Sequence, residues 1–420
     1  METIIIGAGQ AGLATSYHLA QRGHAHRVFE RADAAGTAWR DRRWDSFSLV
    51  TPNWAFLMPG ACYGGSDPDG FMTRDEVAAV FADYPRRHGL PVQYGVSVDA
   101  VETDADGGYR VHANGEIHRV RNVVVATGLF QAPRIPACAA GLPARIVQLH
   151  SDAYRNPAQL PPGGVVVVGS AQSGCQIADE LLRAGRRVTL CTGAAPRLPR
   201  RYRGRDTMEW LARMGVSDQT VDTLTAPKEK FAPNPQMAGR KGAAMNLHRF
   251  AREGMQLAGR LLDVRDGRLL LGDDLHANLA RGDQFEAGML AAIDGFIART
   301  GADAPAEALS PLRDGYETEA PQEIELAARD IGSVVWATGH RFDFGFVKAP
   351  VFDGDGYPLH VRGQTTFPGL CFVGLPWLHK RKSGLISGVG EDAAFIADRL
   401  CAGNAVAHDV ASASATASFA

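Results

Sequence analysis

Short apolar runs alternate with amphipathic stretches at the start of the chain. The run at residues 3–6 leads through a glycine-rich turn into a stretch of helical periodicity over residues 10–22, and a second apolar run covers residues 26–30. Strand-length apolar runs on either side of one helix are typical of a β-α-β unit. The first thirty residues therefore predict one such unit.

The same order returns in the middle of the chain. An apolar run beginning at Val165 precedes a predicted helix over residues 173–184 and a predicted strand over residues 187–191. The repetition predicts an α/β fold with two Rossmann-like dinucleotide-binding domains, the second inserted in the first.

Periodicity and turn residues predict the remaining elements. Residues 50–75 are predicted to form loops. Helices are predicted over 75–88, 276–299 and 391–401. Strands are predicted over 91–95, 98–104, 108–112, 122–126, 334–337 and 369–374, with a hairpin over 261–264 and 268–271.

Bulk composition narrows the class of protein. The chain has 420 residues, is 45% hydrophobic and carries a formal net charge of -2 with a pI of about 6.7. No overall electrostatic field therefore favours binding to nucleic acid or to a membrane surface. A strand is predicted directly after the first two residues, and no apolar run approaches the roughly 20 residues of a bilayer span. We therefore expect a cytoplasmic protein without a signal peptide.

The six cysteines are spread along the chain. Cys175 and Cys191 are the nearest two in sequence, so the chain contains no C-x-x-C pair. A zinc site, or the redox-active dithiol of a disulfide reductase, uses cysteines that lie closer together. We expect reduced, buried thiols, no metal site, and chemistry carried by cofactors.

A glycine loop follows the first predicted strand. Gly7, Gly9 and Gly12 match the pattern G-x-G-x-x-G, with Gln10 and Ala11 between the last two glycines. The first glycine permits a tight turn, the second lets backbone amides approach a pyrophosphate, and the third lets helix and strand pack closely. The loop therefore predicts a dinucleotide site, the alternative being a β-α turn without a ligand.

An acidic residue supports this interpretation. Glu30 ends the second strand, 30 − 7 = 23 residues after Gly7, where a carboxylate accepts a ribose 2′-OH. Arg31 follows it directly and joins the predicted site. These residues do not distinguish a site that binds FAD from one that binds NAD.

The run "GSAQSG" at residues 169–174 forms a second loop of the same kind. Its middle glycine is replaced by alanine, which still permits a close backbone approach. We therefore predict a second dinucleotide site at Gly169, Ser170, Gln172, Ser173 and Gly174.

The residue that corresponds to Glu30 in the second unit is Thr192, at 169 + 23 = 192. The run "RLPRRYRGR" begins a few residues later. A missing carboxylate with guanidinium groups nearby suits a 2′-phosphate, which favours NADPH over NADH. Arg197, Arg200 and Arg201 are the candidate phosphate ligands, and several of the run's arginines are expected to be ordinary solvated residues.

The segment "GTAWRDRRWDSFSLVTPN" after Glu30 resembles the G-G-x-W-R segment of class B flavoprotein monooxygenases. These are the flavin-containing monooxygenases with their Baeyer–Villiger and YUCCA relatives. Gly36, Trp39 and Arg40 match, and Thr37 replaces the second glycine. The resemblance implies that Trp39 and Arg40 contribute to an FAD site, a place in the core being the alternative for Trp39.

Further segments resemble the same family. "ARIVQLHSDAY" at residues 144–154 is similar to its linker motif F-x-G-x-x-x-H-x-x-x-Y/F, in which His150 and Tyr154 match while Ala144 and Ile146 do not. The final tyrosine is similar to that of the N-oxygenating branch. Two "ATG" segments resemble the hinges between the domains, which implies cofactor contacts at Thr127, Gly128, Thr338 and Gly339.

The C-terminal segment at 365–400 resembles the flavin segment of this superfamily. Gly374 matches the glycine of the final FAD-contacting turn, and Leu385 is a further predicted contact. The helix predicted from about residue 391 is expected to point its N-terminus at the flavin. Family members also place an asparagine near the flavin, and Asn53 in "VTPNWAF" is the candidate catalytic residue. Its alternative is a structural role in a proline turn.

The resemblance implies a reaction. NADPH reduces FAD, oxygen adds at flavin C4a, and bound NADP+ shelters the (hydro)peroxide until a small organic substrate takes an oxygen atom at nitrogen, sulfur or a carbonyl group. The first alternative is an NADPH oxidase or flavin reductase without oxygen insertion. The second is a flavin-binding sensor that docks an acidic partner on "RLPRRYRGR". A homodimer is compatible with the sequence.

The two cofactors define the predicted domains. We predict an FAD-binding domain formed by residues 1–155 and 331–402. Residues 156–330 are predicted to form an NADPH-binding domain, with a helical and hairpin insert at 206–330. The small and polar residues of 403–420 predict a disordered tail.

Overall fold

The computed structural model describes residues 2–237 and 244–403, so the predicted tail lies outside the described residues from position 404 onwards. The helices, in chain order, are α1 (Gln10–Gln21), α2 (Thr37–Asp41), α3 (Arg74–His88), α4 (Gln172–Arg183), α5 (Thr207–Arg213), α6 (Leu247–Arg252), α7 (Leu275–Thr300), α8 (Asp314–Glu317) and α9 (Val389–Cys401). The strands are β1 (Thr3–Ile6), β2 (His26–Glu30), β3 (Leu57–Met58), β4 (Ala61–Cys62), β5 (Val92–Tyr94), β6 (Val98–Thr103), β7 (Tyr109–Ala113), β8 (Glu116–Val120), β9 (Asn122–Val125), β10 (Ala132–Pro133), β11 (Val147–His150), β12 (Gly164–Val168), β13 (Val188–Cys191), β14 (Arg201–Tyr202), β15 (Arg205–Asp206), β16 (Gln256–Ala258), β17 (Leu261–Arg265), β18 (Arg268–Leu271), β19 (Glu323–Glu325), β20 (Ile331–Trp336), β21 (His340–Arg341) and β22 (Leu370–Phe372).

A five-stranded parallel sheet carries the first glycine loop. Its strand order is β22-β9-β1-β2-β5, and α1 connects β1 to β2. Every residue of β1 and β9 is buried, because a parallel sheet is covered on both faces. The first predicted β-α-β unit is confirmed.

A second five-stranded parallel sheet carries the second glycine loop. Its order is β11-β20-β12-β13-β16, and α4 connects β12 to β13. All five residues of β12 are buried. The last strand of the first sheet, β22, follows the whole second sheet in the chain. The predicted α/β fold, with one dinucleotide-binding unit inserted in the other, is confirmed.

Strands β11 and β20 lie next to the predicted domain boundaries at 155/156 and 330/331. Both β11 and β20 belong to the second sheet, where Ser333 lies opposite Val147 on one side and Val165 on the other. The chain therefore crosses between the sheets after β9 and after β20. A strand of four to six residues carries no signal of the sheet that it joins, since its pairing partners are distant in sequence.

The two crossings pair with each other. β10 and β21 form an antiparallel ribbon in which Ala132 lies opposite Arg341 and Pro133 lies opposite His340. The hydroxyl of Thr338 donates a hydrogen bond to the carbonyl of Arg134 beside this ribbon. The "ATG" segments predicted as hinges are thus joined by backbone and side-chain hydrogen bonds.

The region predicted as a helical and hairpin insert has a more varied structure. The predicted hairpin is confirmed as β17 and β18, to which β19 adds a third strand, and the long predicted helix is confirmed as α7. Within the same region β16 is an edge strand of the second sheet, which the prediction missed. The prediction also missed β8, whose mostly polar sequence EIHRV pairs with β7. No helix in the described ranges is long and apolar enough to cross a membrane.

Replacing a side chain at the centre of the second sheet is expected to destabilise the protein. Leu190 on β13 is fully buried and lies opposite Val167 and Leu257 on the neighbouring strands. Leu190→Ala should lower the free energy of unfolding by about 2–5 kcal/mol, because it removes apolar contacts and leaves a cavity. Urea denaturation followed by tryptophan fluorescence measures this loss.

The matched control is Leu262→Ala, since Leu262 is 59% exposed. It should change the free energy of unfolding by less than about 0.5 kcal/mol. Equal losses in the two variants would contradict the assignment of β13 to the sheet interior.

Candidate functional site

The first glycine loop packs directly against the end of β9. Gly7 has a φ of +102°, and a Cβ there would lie 2.9 Å from the carbonyl oxygen of Ala126. A Cβ at Gly12 would lie 1.8 Å from the carbonyl oxygen of Gly7. The fold itself therefore requires glycine at positions 7 and 12.

Gly9 is different, because the protein around it leaves room for a side chain. Its φ of -78° is allowed for any residue, and no atom lies within 4 Å of a Cβ built there. It precedes the first turn of α1, whose amides donate no hydrogen bond to a capping side chain. An open space in front of uncapped helix amides fits the pyrophosphate of a dinucleotide.

The carboxylate of Glu30 lies against this loop. It accepts hydrogen bonds from the backbone amides of Ala8, at 2.7 Å, and Ala32, at 2.9 Å. Arg31 is exposed beside it. The structure therefore places Glu30 at the glycine loop, where the sequence predicts a ribose ligand, whereas the role of Arg31 stays a prediction.

The second glycine loop repeats the geometry of the first. Gly169 has a φ of +106°, and a Cβ there would lie 2.5 Å from the carbonyl oxygen of Ala337, at the end of β20. A Cβ at Gly174 would lie 1.8 Å from the carbonyl oxygen of Gly169. Each glycine loop thus packs on the strand that runs into an "ATG" segment.

A segment that sequence reasoning missed covers the second loop. The side chain of Gln236 donates a hydrogen bond to the carbonyl of Ser170, and the amide of Met237 donates to Gln172 Oε1 at 3.2 Å. On the other side, Ser170 Oγ accepts from the amide of Gly193 at 2.9 Å. Gln236 lies 66 residues from Ser170 in a stretch without a motif, so only the fold reveals this contact.

Two of the three arginines predicted to bind phosphate lie inside the protein. Arg197 is buried and paired with Asp283 and, at 2.6 Å, with Glu286. Arg200 is buried and paired with Asp206. Both guanidinium groups therefore already have carboxylate partners, and their role in binding phosphate stays a prediction.

The third predicted arginine, Arg201, is exposed on the hairpin of β14 and β15. It donates to the carbonyl of Gly204 at 2.8 Å. The sequence could not distinguish these three arginines, because the carboxylates that pair with Arg197 belong to α7, a distant part of the chain.

The tryptophan of the G-T-A-W-R segment packs in an aromatic cluster. Trp39 is partly buried, and its ring lies parallel to Phe81 with the centroids 6.3 Å apart. The guanidinium above it belongs to Arg43, at 5.2 Å from the ring centroid. Arg40 is exposed and pairs with two neighbouring aspartates. The contacts of Trp39 agree with the core alternative, and sequence reasoning missed Arg43.

The C-terminal segment closes on the first glycine loop. Gln10 Nε2 donates to the carbonyl of Gly384 at 2.8 Å. A Cβ at Gly374 would lie 2.5 Å from the Cβ of Ala11. Leu385 lies in the turn that precedes α9. The structure therefore brings these predicted residues together at the N-terminus of α1.

Asn53 is buried, and both polar atoms of its side chain are hydrogen-bonded within one loop. Its Nδ2 donates to the carbonyl of Asp67 at 2.9 Å, and its Oδ1 accepts from the amide of Met72 at 2.7 Å. These bonds give Asn53 a structural role in folding residues 67–72 against the chain after Pro52. A catalytic role stays a prediction.

The predicted hinge residues follow the two strands on which the glycine loops pack. Thr127 and Gly128 follow β9, and Thr338 and Gly339 follow β20. Gln131 Nε2 donates to Thr127 Oγ1 at 2.6 Å, which stiffens the first crossing. The structure therefore shows these residues as part of the connection between the sheets, and their contacts with a cofactor stay predictions.

His150, from the linker motif, joins this connection. Its Nε2 bonds to the carbonyl oxygen of Gly339 at 3.0 Å, and its Nδ1 accepts from the amide of Asp152 at 3.2 Å. Asp152 in turn bonds to His340 at 2.9 Å. Ligand atoms of His150, Asp152 and His340 lie within 4.8 Å of one another. Because both ring nitrogens of His150 are already hydrogen-bonded, this group is a hydrogen-bonded hinge rather than a set of free metal ligands.

Burial and hydrogen bonding shift the pKa values of His150 and Asp152. Burial lowers the pKa of His150, so its ring is neutral at pH 7. Burial acts to raise the pKa of Asp152, but the hydrogen bond from His340 and the charges around it outweigh that effect and lower the pKa. The hinge therefore holds a charged Asp152 beside a neutral His150.

Known proteins resemble this chain over most of its length. Residues 4–212 match the family described as pyridine nucleotide-disulphide oxidoreductase. A CzcO-like oxidoreductase of Geobacillus kaustophilus (strain HTA426) is 29% identical over 398 residues, which cover 94% of this chain and 97% of the relative. The indole-3-pyruvate monooxygenase YUCCA1 of Oryza sativa subsp. japonica is 31% identical over 184 residues, or 43% of this chain and 45% of that enzyme. A flavin-containing monooxygenase from Stenotrophomonas maltophilia superimposes with a TM-score of 0.66 at 20% identity, covering 96% of this chain and 98% of that structure.

Two parallel sheets with matching glycine loops, together with these relatives, support a flavin-dependent oxidoreductase with flavin and nicotinamide cofactors. The chain is similar to the class B flavoprotein monooxygenases, and the resemblance predicted from its motifs is confirmed. The described cysteines are free, and burial raises the pKa of Cys191 and of Cys371 to about 12. These thiols are therefore protonated and poorly nucleophilic at neutral pH.

The two kinds of glycine in the first loop should respond differently to substitution. Gly9→Ala adds a methyl group to open space in front of α1, so it should leave the melting temperature of the flavin-free protein unchanged while lowering the amount of flavin bound. Flavin absorbance per mole of purified protein and differential scanning calorimetry measure the two effects.

Gly12→Ala is the matched control, because its methyl group would collide with the backbone of Gly7. It should lower the melting temperature of the flavin-free protein as well as its flavin content. Full flavin binding by Gly9→Ala would contradict a pyrophosphate site at this loop.

The partly buried His360, near the C-terminal segment, should make stability depend on pH. Tyr357, which is close to His360, donates its hydroxyl to the carbonyl of Pro376 at 3.1 Å. Burial, with a smaller contribution from Lys230, lowers the pKa of His360 to about 4. The unfolded chain, with a histidine pKa of about 6.5, binds a proton in this interval while the folded protein does not. The contribution of His360 to the free energy of unfolding is therefore fully present above about pH 6.5 and is lost as the pH falls towards 4.

His360→Gln should therefore reduce the slope of unfolding free energy against pH between about 4 and 6.5. Urea denaturation at several pH values measures the slope. His276→Gln, on an exposed side chain of α7, is the control and should keep the wild-type slope. An unchanged slope in His360→Gln would show that His360 titrates alike in the folded and unfolded chain.

Proposed function

We propose that this chain is an NADPH-dependent FAD monooxygenase that oxygenates a small organic substrate at nitrogen, sulfur or a carbonyl group. The observation that carries the proposal is the pair of glycine loops with the same backbone geometry, of which one faces a carboxylate and the other does not. Glu30 lies at the first loop, whereas Thr192 occupies the corresponding place at the second. A resident FAD and an exchangeable NADPH fit that difference.

The residues of the chain bind and orient the cofactors, and bound FAD supplies the electron and oxygen chemistry. The FAD pyrophosphate would bind in the open space at Gly9, where the uncapped amides of α1 would donate hydrogen bonds to it. The carboxylate of Glu30 would accept a hydrogen bond from the ribose hydroxyl. Gly374 and Leu385 border the same cofactor from the C-terminal segment. At the second loop, Ser170 and the amides that open α4 receive the phosphates of NADPH.

The name of one relative suggests which class of substrate to test first. The matched rice enzyme carries the name of an indole-3-pyruvate monooxygenase, and that substrate is an aromatic 2-oxo acid. Aromatic 2-oxo acids are therefore the first compounds to test, followed by amines and thioethers. The cytoplasmic location and a homodimer stay predictions.

One experiment tests the proposed reaction. The purified protein is denatured to release its flavin for mass spectrometry, and fresh enzyme is then mixed with NADPH, oxygen and each candidate substrate. We expect FAD, NADPH consumption that rises with the correct substrate, and an oxygenated product. An amine or a thioether would become one oxygen atom heavier, whereas a 2-oxo acid that gains the oxygen and loses CO2 would become the carboxylic acid one carbon shorter. NADPH consumption with stoichiometric hydrogen peroxide and no oxygenated product over the whole panel would favour the oxidase alternative instead.

A further inference from the structure

The ends of β2 and β13 occupy equivalent places in the two sheets. In the first sheet Ile6, which precedes the glycine loop, lies opposite Phe29, and Glu30 is the next residue. In the second sheet Val168 lies opposite Cys191, and Thr192 is the next residue. A ribose bound at the second loop therefore lies near Thr192 rather than near a carboxylate.

A short chain of hydrogen bonds connects Thr192 to helix α7. Thr192 Oγ1 donates to the carbonyl of Ala258 at 2.8 Å and accepts from Asn278 Nδ2 at 3.3 Å. The Oδ1 of Asn278 accepts a hydrogen bond from the guanidinium of Arg281. Thr192 and Asn278 are buried, whereas Arg281 is exposed. Two hydrogen bonds thus separate an exposed guanidinium from the end of β13.

The charge of Arg281 is not neutralised by a carboxylate. Within residues 2–237 and 244–403, its recorded partner is the neutral amide of Asn278, and no ion pair involves it. Four arginines of the run "RLPRRYRGR" are paired with acids, namely Arg197, Arg200, Arg203 and Arg205. A guanidinium without an acidic partner is the group that binds a phosphate dianion well.

Arg197, a predicted phosphate ligand, holds the helix that carries Arg281. Its side chain crosses α7 at Gly282, where a Cβ would lie 3.1 Å from the Arg197 guanidinium. It also pairs with Asp283 and Glu286 on the same helix. Arg197 is therefore a positioning residue that fixes α7 beside the end of β13.

We propose that Arg281 binds the 2′-phosphate of NADPH and sets the preference of this protein for NADPH over NADH. The inference rests on the proposed function, because it takes the second glycine loop as the nicotinamide dinucleotide site. It assigns a specificity residue to α7, far along the chain from the arginine run in which the sequence placed it. The exposed Arg201 is the rival candidate.

Equilibrium binding to the flavin-loaded protein tests this assignment without relying on catalysis. NADP+ and NAD+ are titrated into the wild-type protein and into Arg281→Gln, and each dissociation constant is measured by calorimetry. Arg281→Gln should weaken NADP+ binding roughly 10- to 100-fold, as expected for losing a charge-assisted hydrogen bond, and change NAD+ binding less than about twofold. Arg281→Lys, which keeps the charge but not the paired donors, should give an intermediate loss for NADP+.

Two further variants control for general effects of charge. Arg299→Gln removes an exposed arginine from the far end of the same helix and should leave both affinities unchanged. Arg201→Gln tests the rival. The assignment is overturned if Arg281→Gln binds NADP+ as tightly as the wild type, if it loses both dinucleotides equally, or if Arg201→Gln alone shows the selective loss.

The wild-type titrations separate this inference from the proposed function. A wild-type protein that prefers NADP+ supports the proposed cofactor, and the variants then decide the role of Arg281. A wild-type protein that contains flavin but prefers NAD+ overturns both NADPH as the cofactor and the role of Arg281. A wild-type protein that binds neither dinucleotide overturns the nicotinamide site altogether.

Discussion

The contact between each glycine loop and the neighbouring parallel strand determines much of this structure. At both loops the first glycine lies so close to a strand carbonyl, of Ala126 or of Ala337, that a side chain would overlap it. The third glycine lies even closer to the first, since a Cβ on it would be 1.8 Å from the carbonyl oxygen of the first glycine at both loops. This packing brings the N-terminus of a helix to the carboxyl edge of the sheet and leaves its first amides without a capping side chain. A site for negative charge follows from the backbone alone.

Identical backbones make the differences between the two sites informative. The first loop is bordered by the carboxylate of Glu30 and by the C-terminal segment, which encloses it through Gln10 and Gly374. The second is covered by Gln236 and Met237, which donate hydrogen bonds to Ser170 and to Gln172. The two loops therefore share a backbone geometry but differ in the residues that surround it.

Local patterns predicted the parts of the fold that depend on neighbours in sequence. Both β-α-β units, α7 and the hairpin of β17 and β18 were correct, because burial on both faces or a turn between two strands leaves a signal in a short stretch of sequence. Pairing between distant strands leaves no such signal: β11 and β20 pair with each other although the whole second β-α-β unit lies between them in the chain. Sequence patterns do not record such pairings.

The candidate site shows the same division. The glycines and Glu30 lie together at one loop, as their spacing within a single unit predicts, and their contacts with a cofactor stay predictions. The partners of the arginines could not be predicted, because they lie far away in sequence: Arg197 pairs with Asp283 and Glu286. Arg281 carries no motif and lies far from Thr192 in sequence, so only the hydrogen bonds through Asn278 connect it to the site.

The ribbon of β10 and β21 has a consequence for motion. Both polypeptide connections between the sheets run through it, and Asp152 and His340 add a side-chain bond beside it. Two connections that are bonded to each other cannot move independently of each other. A reorientation of one sheet relative to the other must therefore displace both connections together and also break contacts away from the ribbon, such as those of Ser46 with Glu180 and of Arg200 with the carbonyl of Val50.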